Sequence, residues 1–179
     1  MKHMKKCYNG IHIFIVAFLF LNILIVDVSA GGFFEGHVEK VIEGNMVILR
    51  GGTVVQYMGI DVPQMRDANP FFRDIATAAL KYNKQLVEKK TVRLEIVDPQ
   101  NIGVDDSKKY AYIFIGGQMI NALMLKKGYA LVSKAFPPED KYQDFFIRSQ
   151  NEAVACTAGI WKKLSSSQKK KGTVDHVFQ

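Results

Sequence analysis

The sequence is poor in the residues that form disulfides or simple metal centres. Among its 179 residues there are only two cysteines, Cys7 and Cys156, and four histidines. Residues 31–179 contain Cys156 alone, so that part of the chain can form no internal disulfide and must derive its stability from a hydrophobic core. Cys156 lies in an apolar helical pattern with no accompanying histidine, which predicts a small buried side chain and not a nucleophile. His37 and His176 have no partner at the spacing of metal ligands, which favours structural or solvated roles.

Long apolar runs are also scarce, since the only one covers residues 11–26. Three lysines precede this run, and it ends near "VSA", where Val28 and Ala30 have the spacing that signal peptidase prefers. The run is shorter than the roughly 20 residues that cross a bilayer comfortably. We therefore predict that residues 1–30 are a signal peptide, or alternatively a retained N-terminal membrane anchor. The predicted localisation is exported, either secreted or periplasmic, or else membrane-anchored.

Acidic residues are outnumbered by basic ones. The formal charge of the chain is +7, and loss of residues 1–30, with three lysines and Asp27, would leave +5. This excess permits a polyanionic partner such as nucleic acid without requiring one. Residues 165–179 combine serine and lysine and are predicted to be a basic, flexible tail that serves mainly for solubility.

Strands and helices follow from the periodicity of the remaining chain. Residues 33–60 alternate or are β-branched and are interrupted by "EGN" and "RGG", which predicts three antiparallel strands joined by tight turns. Helical spacing over 71–90, 118–128 and 141–158 predicts three helices. Two more strands are predicted in "TVRLEIVD" and "YAYIFIGG". This order indicates an α+β domain over residues 31–164, built on a five-stranded barrel of the OB type with three helices.

Several segments carry a family resemblance. They are "VEKVIEGNMVIL", "VQYMGIDVPQ", "DDSKKYAYIFIGGQMIN", "LKKGYALV" and the closing "GIW". In their order and spacing the chain resembles a divergent member of the staphylococcal nuclease, or thermonuclease, family. The resemblance covers about residues 33–161 and implies a phosphodiesterase that cuts DNA and RNA with one calcium ion.

The resemblance also implies which positions would carry the chemistry. It places metal ligation on Asn45, Asp61 and the carbonyl of Val62, water positioning on Gln64, and phosphate clamping on Gln56 and Lys108. These residue types matter because a hard cation prefers carboxylate oxygens and because developing charge on phosphate oxygens is stabilised by arginine. A register shift of one residue would place Lys109 at the position of Lys108. Either Asp105 or Asp106 could then be a loop carboxylate.

Most of these positions depart from the family pattern. Only Asp61 keeps the expected side chain; Asn45 offers calcium a neutral oxygen, and Gln64 could orient water but has almost no basicity. Gln56 donates without a charge, and Lys108 keeps a charge without a bidentate fork. Calcium is therefore expected to bind weakly or not at all, and whether the chain is an enzyme is left open.

The sequence favours two functions, and a purely structural adaptor of the envelope is a third for which no residue pattern speaks directly. The first is an exported, catalytically degenerate nuclease-like domain, a pseudoenzyme that binds nucleic acid or a protein partner. The second is an active, divergent calcium-dependent phosphodiesterase acting on DNA or RNA. Nucleic-acid contacts are predicted for Lys108, Lys109 and Tyr112, whose strand could stack bases on one side. We expect a monomer, with membrane contact only if the N-terminal segment is retained.

Overall fold

Five of the strands form a closed β-barrel, with helices packed around it. The computed structural model describes residues 32–98 and 108–163. In chain order the elements are β1 (Phe33–Glu43), β2 (Met46–Leu49), β3 (Val54–Tyr57), β4 (Ile60–Asp61), α1 (Pro70–Val87), β5 (Thr91–Val97), β6 (Lys109–Ile115), β7 (Gln118–Met119), α2 (Ile120–Lys126), β8 (Leu131–Val132) and α3 (Asp140–Ala155). The predicted α+β architecture with a five-stranded OB-type barrel is confirmed.

The barrel closes between two strands that are far apart in sequence. Its strands follow the order β3, β2, β1, β5, β6 with antiparallel neighbours. β3 and β6 then pair in parallel, with Val55 opposite Lys109 and Tyr57 opposite Ala111. Closure removes the exposed strand edges that an open five-stranded sheet would leave.

The barrel interior is filled by the apolar positions of the alternating strands. Val38, Val47, Val55 and Ala111 have no exposed surface, and Leu94 is 2% exposed. At roughly 25 cal/mol per Å² of buried apolar surface, this core is the main source of stability in a domain without disulfides. The helices cover the barrel and join the same core through, among others, Ala79, Leu125 and Phe146.

Helices α1, α2 and α3 follow the predicted order and differ from the prediction at their ends, and residues 161–163, at the end of the described range, are helical as well. The first helix begins at Pro70, with the Asn69 side chain accepting from the amide of Phe71 at 3.1 Å. It ends at Val87, three residues before the predicted end, because Lys89 adopts φ +60° and its amide donates to the carbonyl of Val38. The chain thereby leaves the helix and enters β5.

The third predicted strand is interrupted before it reaches Asp61. β3 ends at Tyr57, and Gly59 adopts φ +80°. A Cβ at Gly59 would lie 2.7 Å from Cε1 of Phe146, so both the conformation and the close packing require glycine. After this turn Ile60 and Asp61 pair with Val132 and Leu131 in a separate two-stranded sheet.

The end of the described chain packs against α2 through two glycines. Gly128 (φ +65°) follows the helix, as predicted for its C-terminal cap, and its carbonyl accepts from the amide of Ile160 at 2.8 Å. A Cβ on Gly128 would lie 2.3 Å from the oxygen of Ala158, and one on Gly159 would lie 2.1 Å from the oxygen of Gly128.

The prediction of a buried Cys156 is wrong, because α3 ends at Ala155 and Cys156 is exposed where the chain turns away.

Some predictions concern residues that the structure does not describe. These are the N-terminal segment 1–30, the loop acids Asp105 and Asp106, and the tail 165–179, so their boundaries and roles stay predictions. Among residues 32–98 and 108–163, no helix has the length and hydropathy needed to cross a membrane.

Candidate active site

The turn between β1 and β2, which carries Asn45, is fixed against α1. A Cβ on Gly44 would lie 2.7 Å from Cβ of Ala79, so glycine allows the turn to approach the helix closely. Asn83 on α1 donates to the carbonyl of Glu43 at 3.3 Å and accepts from the Tyr57 hydroxyl at 2.8 Å. The turn, the helix and β3 are thus held together by one buried amide.

Asn45 is itself part of this framework. Its side chain is buried, and its Nδ2 donates to the carbonyl of Ile60 at 3.2 Å. Its backbone carbonyl accepts from the amide of Tyr57 at 2.8 Å. The side-chain nitrogen of Asn45 therefore holds β4 in place, and only its neutral Oδ1 is left as a ligand for a cation.

Asp61 is the one residue that keeps the carboxylate implied by the resemblance. It lies on β4, is half-buried, and accepts a hydrogen bond from the Ser133 hydroxyl. The Ser133 oxygen also accepts from the amide of Phe136 at 3.0 Å, which orients its hydrogen toward Asp61. Burial raises the pKa of Asp61 above the ordinary 3.8, and the Ser133 hydrogen bond offsets part of that rise.

The described donors do not fit a high-affinity calcium site. Within residues 32–98 and 108–163, no group of three His, Cys, Asp or Glu side chains could hold a metal ion. The candidate set therefore contains one charged oxygen from Asp61, the neutral Oδ1 of Asn45 and the backbone carbonyl of the half-buried Val62. Calcium affinity depends on the number of charged ligands, so this set favours weak binding at most.

Gln56 and Lys108 lie side by side, although they are far apart in sequence. The parallel pairing of β3 with β6 sets Gln56 opposite Tyr110, two residues beyond Lys108. The Lys108 Nζ donates to Oε1 of Gln56 at 3.1 Å. The two positions expected to clamp phosphate are thus adjacent, but together they provide one positive charge instead of two guanidinium groups.

Gln64 is exposed just beyond Pro63 and also contacts a cation. Its Oε1 accepts from Nε of Arg66 at 2.9 Å. An amide oxygen that already accepts from a guanidinium is less available to orient a water molecule, and an amide cannot take up a proton at neutral pH. Gln64 therefore lacks the chemistry of a general base.

The structure corrects the prediction for Tyr112. Its side chain has no exposed surface, and its hydroxyl accepts from the amide of Glu139 at 2.8 Å. Its ring packs against Tyr142, with centroids 4.5 Å apart. Tyr112 belongs to the contact between the barrel and α3 and offers no face on which a base could stack.

Lys109, the other predicted nucleic-acid contact on this strand, is half-buried at the start of β6, opposite Val55.

The sequence interpretation missed four side chains that shape the site: Asn83, Asn121, Ser133 and Arg66. Asn121 on α2 donates to the carbonyl of Met58 at 2.8 Å and accepts from the amide of Ile113 at 2.9 Å, which fixes the chain just before Gly59. The two asparagines were detectable as polar residues in otherwise apolar helical patterns. Ser133 and Arg66 lie in loops, where no periodicity marks them.

Comparison with known proteins is consistent with this geometry. The family model "Staphylococcal nuclease homologue" matches residues 54–163. The SPbeta prophage-derived endonuclease YokF of Bacillus subtilis is 29% identical over 139 residues, which are 78% of this chain and 45% of that protein. Endonuclease YncB of the same organism is 27% identical over 128 residues, 70% of this chain and 60% of that protein. The chain thus spans about half the length of these two Bacillus relatives.

A third relative is matched along its entire length. The thermonuclease of Staphylococcus intermedius is 27% identical over 173 residues, which cover 89% of this chain and 100% of that protein. The family match extends over more than half of the chain and includes Gln56, Asp61, Gln64 and Lys108. Together with the closed barrel, it shows that the chain belongs to the family of staphylococcal nuclease homologues.

Proposed function

We propose that this domain binds the phosphodiester backbone of nucleic acid at the edge formed by Gln56 and Lys108, with greatly reduced or absent hydrolysis. The observation that carries the proposal is the contact between Lys108 Nζ and Gln56 Oε1. It joins β3 to β6 and presents a cation where the resemblance implies phosphate binding. A lysine provides the charge that a phosphate oxygen requires but not the bidentate fork of an arginine.

Loss of hydrolysis is inferred from the chemistry of the amides. Gln64 has no basicity and already accepts from Arg66, and Asn45 brings no charge to a metal ion. A donor that stabilises the developing charge in a transition state is worth roughly 3 to 4 kcal/mol, so several replacements would lower the rate by many powers of ten. Phosphate binding needs less, since a positive charge and a few donors suffice.

The location of the protein is part of the proposal. We infer export, with residues 1–30 acting as a signal peptide or membrane anchor, from their lysines, apolar run and "VSA" end. Mass spectrometry of the native protein should find Gly31 at its N-terminus. Detection of Met1 on the mature protein would overturn cleavage and favour a retained anchor.

Binding and cleavage by the full-length chain, solubilised in a non-ionic detergent, test the function. We expect single-stranded DNA and RNA to bind with an affinity that falls as salt rises, because phosphate contacts release counterions. Lys108→Ala should weaken binding at least about 10-fold at low salt, as expected for the loss of one charge-assisted hydrogen bond. Lys40→Ala, at an exposed position on β1, is the matched control. Equal affinities of wild type and Lys108→Ala would contradict the proposal.

An active divergent phosphodiesterase is the second candidate function. It is favoured by the names of the relatives, which are called endonuclease or thermonuclease at 27–29% identity. In this case calcium should stimulate cleavage, a chelator should abolish it, and Asp61→Ala should remove it. Such cleavage would reject the degenerate function, whereas binding without cleavage would reject the active one.

A further inference from the structure

Two glutamine–cation contacts lie on either side of Asp61 in the sequence. Gln56 accepts from Lys108 through its Oε1, and Gln64 accepts from Arg66 through the same atom. In each contact the amide oxygen is turned toward a cation, so each glutamine helps to fix the position of a positive charge. The charge of Lys108 belongs to the proposed binding edge, whereas the charge of Arg66 has no role in the function proposed above.

The segment that carries Arg66 is held by a dense set of hydrogen bonds. The amide of Asp67 donates to the carbonyl of Gln64 at 3.0 Å, which closes a turn around Arg66. Arg73 on α1 donates to the carbonyl of Asp67 at 2.7 Å, and the Asp67 carboxylate accepts from the amide of Asn69 at 2.8 Å. Arg66 is therefore presented from a backbone of defined conformation.

The guanidinium of Arg66 keeps its binding capacity. The side chain is exposed, and within the described part of the chain only its Nε is engaged, by Gln64. Among residues 32–98 and 108–163, no carboxylate lies within ion-pairing distance of Arg66. Its two terminal nitrogens can thus offer parallel donors to the oxygens of one phosphate, the geometry for which arginine is suited.

We propose that Arg66 is a second phosphate-binding residue of this site, held in position by Gln64, and that it contacts the backbone of a bound single-stranded DNA or RNA. This inference rests on the proposed function, since it adds a contact at the same site. It assigns Gln64 a positioning role, in which the amide orients the guanidinium without neutralising it. The contact would contribute affinity and no base specificity.

The test compares Arg66 variants of the full-length chain in detergent for binding of fluorescent single-stranded DNA and RNA across a salt series. Arg66→Ala should weaken binding at least about 10-fold at low salt. It should also reduce the slope of log affinity against log salt by about 0.7, the value for loss of one contact on a single strand. Arg66→Lys, which keeps the charge but not the fork, should restore the slope and only part of the affinity. A purely structural role for Arg66 would leave the slope unchanged.

Arg50→Ala is the matched control, because Arg50 is exposed at the end of the β2–β3 hairpin away from Asn45. It should keep the wild-type slope. The inference is overturned if wild type binds and Lys108→Ala weakens binding while Arg66→Ala binds as tightly as Arg50→Ala. If wild type does not bind at all, the proposed function fails first, and the contact with Arg66 fails with it. Circular dichroism of each variant verifies that the fold is retained.

Discussion

Amide side chains play different parts in the core of this domain and at its candidate site. In the core, Asn121 and Asn83 have both ends of the amide engaged in hydrogen bonds, and neither side chain has any exposed surface. At the site, Gln56 and Gln64 are not fully buried, and each uses its oxygen to contact a cation. The same amide group therefore holds backbone segments in place where water is excluded, and holds a cationic side chain in place where solvent is present.

The largest effect should come from a core amide. Asn121→Ala would leave the amide of Ile113 and the carbonyl of Met58 without their buried partner, at about 1–3 kcal/mol for each unsatisfied group. We therefore expect the free energy of unfolding to fall by about 3 kcal/mol, measured by urea denaturation. Asn151→Ala, at an exposed position on α3, should change it by less than about 0.5 kcal/mol. A similar small loss for Asn121→Ala would remove the distinction between core and site amides.

A smaller loss is expected when the partner of the other core amide is changed. Tyr57→Phe removes the hydroxyl that donates to Asn83 at 2.8 Å and keeps the volume of the ring. Since one buried acceptor is then left unsatisfied, the free energy of unfolding should fall by about 1–2 kcal/mol. Tyr129→Phe, in the segment after α2 where the ring is partly exposed, serves as the control in the same urea titration.

A substitution at the site should raise the free energy of unfolding, whereas the core substitutions lower it. Burial raises the pKa of Asp61, so ionisation costs more in the folded state than in the unfolded chain. This cost is absent below pH 3.8, grows as the pH rises through the raised pKa, and is fully present above it. Asp61→Asn, whose Oδ1 can still accept from Ser133, should therefore be more stable than wild type at pH 7.

The gain should be less than about 1 kcal/mol, because solvent screens a half-exposed carboxylate. It should disappear below pH 3.8. Thermal unfolding of both proteins over a pH series measures it, with the exposed Asp144→Asn as a control for charge alone. A variant that is less stable than wild type at pH 7 would show that the carboxylate has a stabilising partner beyond Ser133.

The smallest effect tests the amide at position 64. Gln64→Glu places a carboxylate against Arg66, and the resulting ion pair would neutralise the charge that we assign to phosphate binding. Affinity for single-stranded DNA should fall about 2- to 3-fold, as expected for a solvent-exposed pair worth less than about 1 kcal/mol. Gln143→Glu on the exposed face of α3 adds the same charge away from the site. Unchanged affinity in Gln64→Glu, or an equal drop in Gln143→Glu, would contradict the assignment.

Much of the fold could be predicted because it depends on local patterns. Alternating residues and the turns "EGN" and "RGG" predicted the three-stranded meander, and helical spacing predicted α1, α2 and α3 in the correct order. The interruption of the third strand was not predictable, since it depends on the packing of Gly59 against Phe146, which is distant in sequence. The exposure of Cys156 was missed for a related reason, because α3 ended earlier than its apolar pattern suggested.

For the candidate site, the sequence predicted which residues belong to it but not which partners their side chains contact. The resemblance selected Asn45, Gln56, Asp61, Gln64 and Lys108, but residue types alone do not specify hydrogen-bond partners. The contact of Gln56 with Lys108 depends on closure of the barrel across 52 positions, and that of Gln64 with Arg66 depends on a loop turn. Tyr112 shows the converse limit, since an alternating aromatic strand does not reveal which of its faces a helix will cover.

The contacts at the end of the described chain have a consequence for the order of folding during synthesis. Ile160 donates to Gly128, and Lys163 donates to the Asn69 side chain that caps α1, at 3.1 Å. Asn69 directly follows the loop that carries Gln64 and Arg66. The ribosome must therefore release residue 163 before the cap of α1 acquires its last contact. Until then, a nascent chain with a complete set of barrel strands still lacks this contact at the N-terminus of α1.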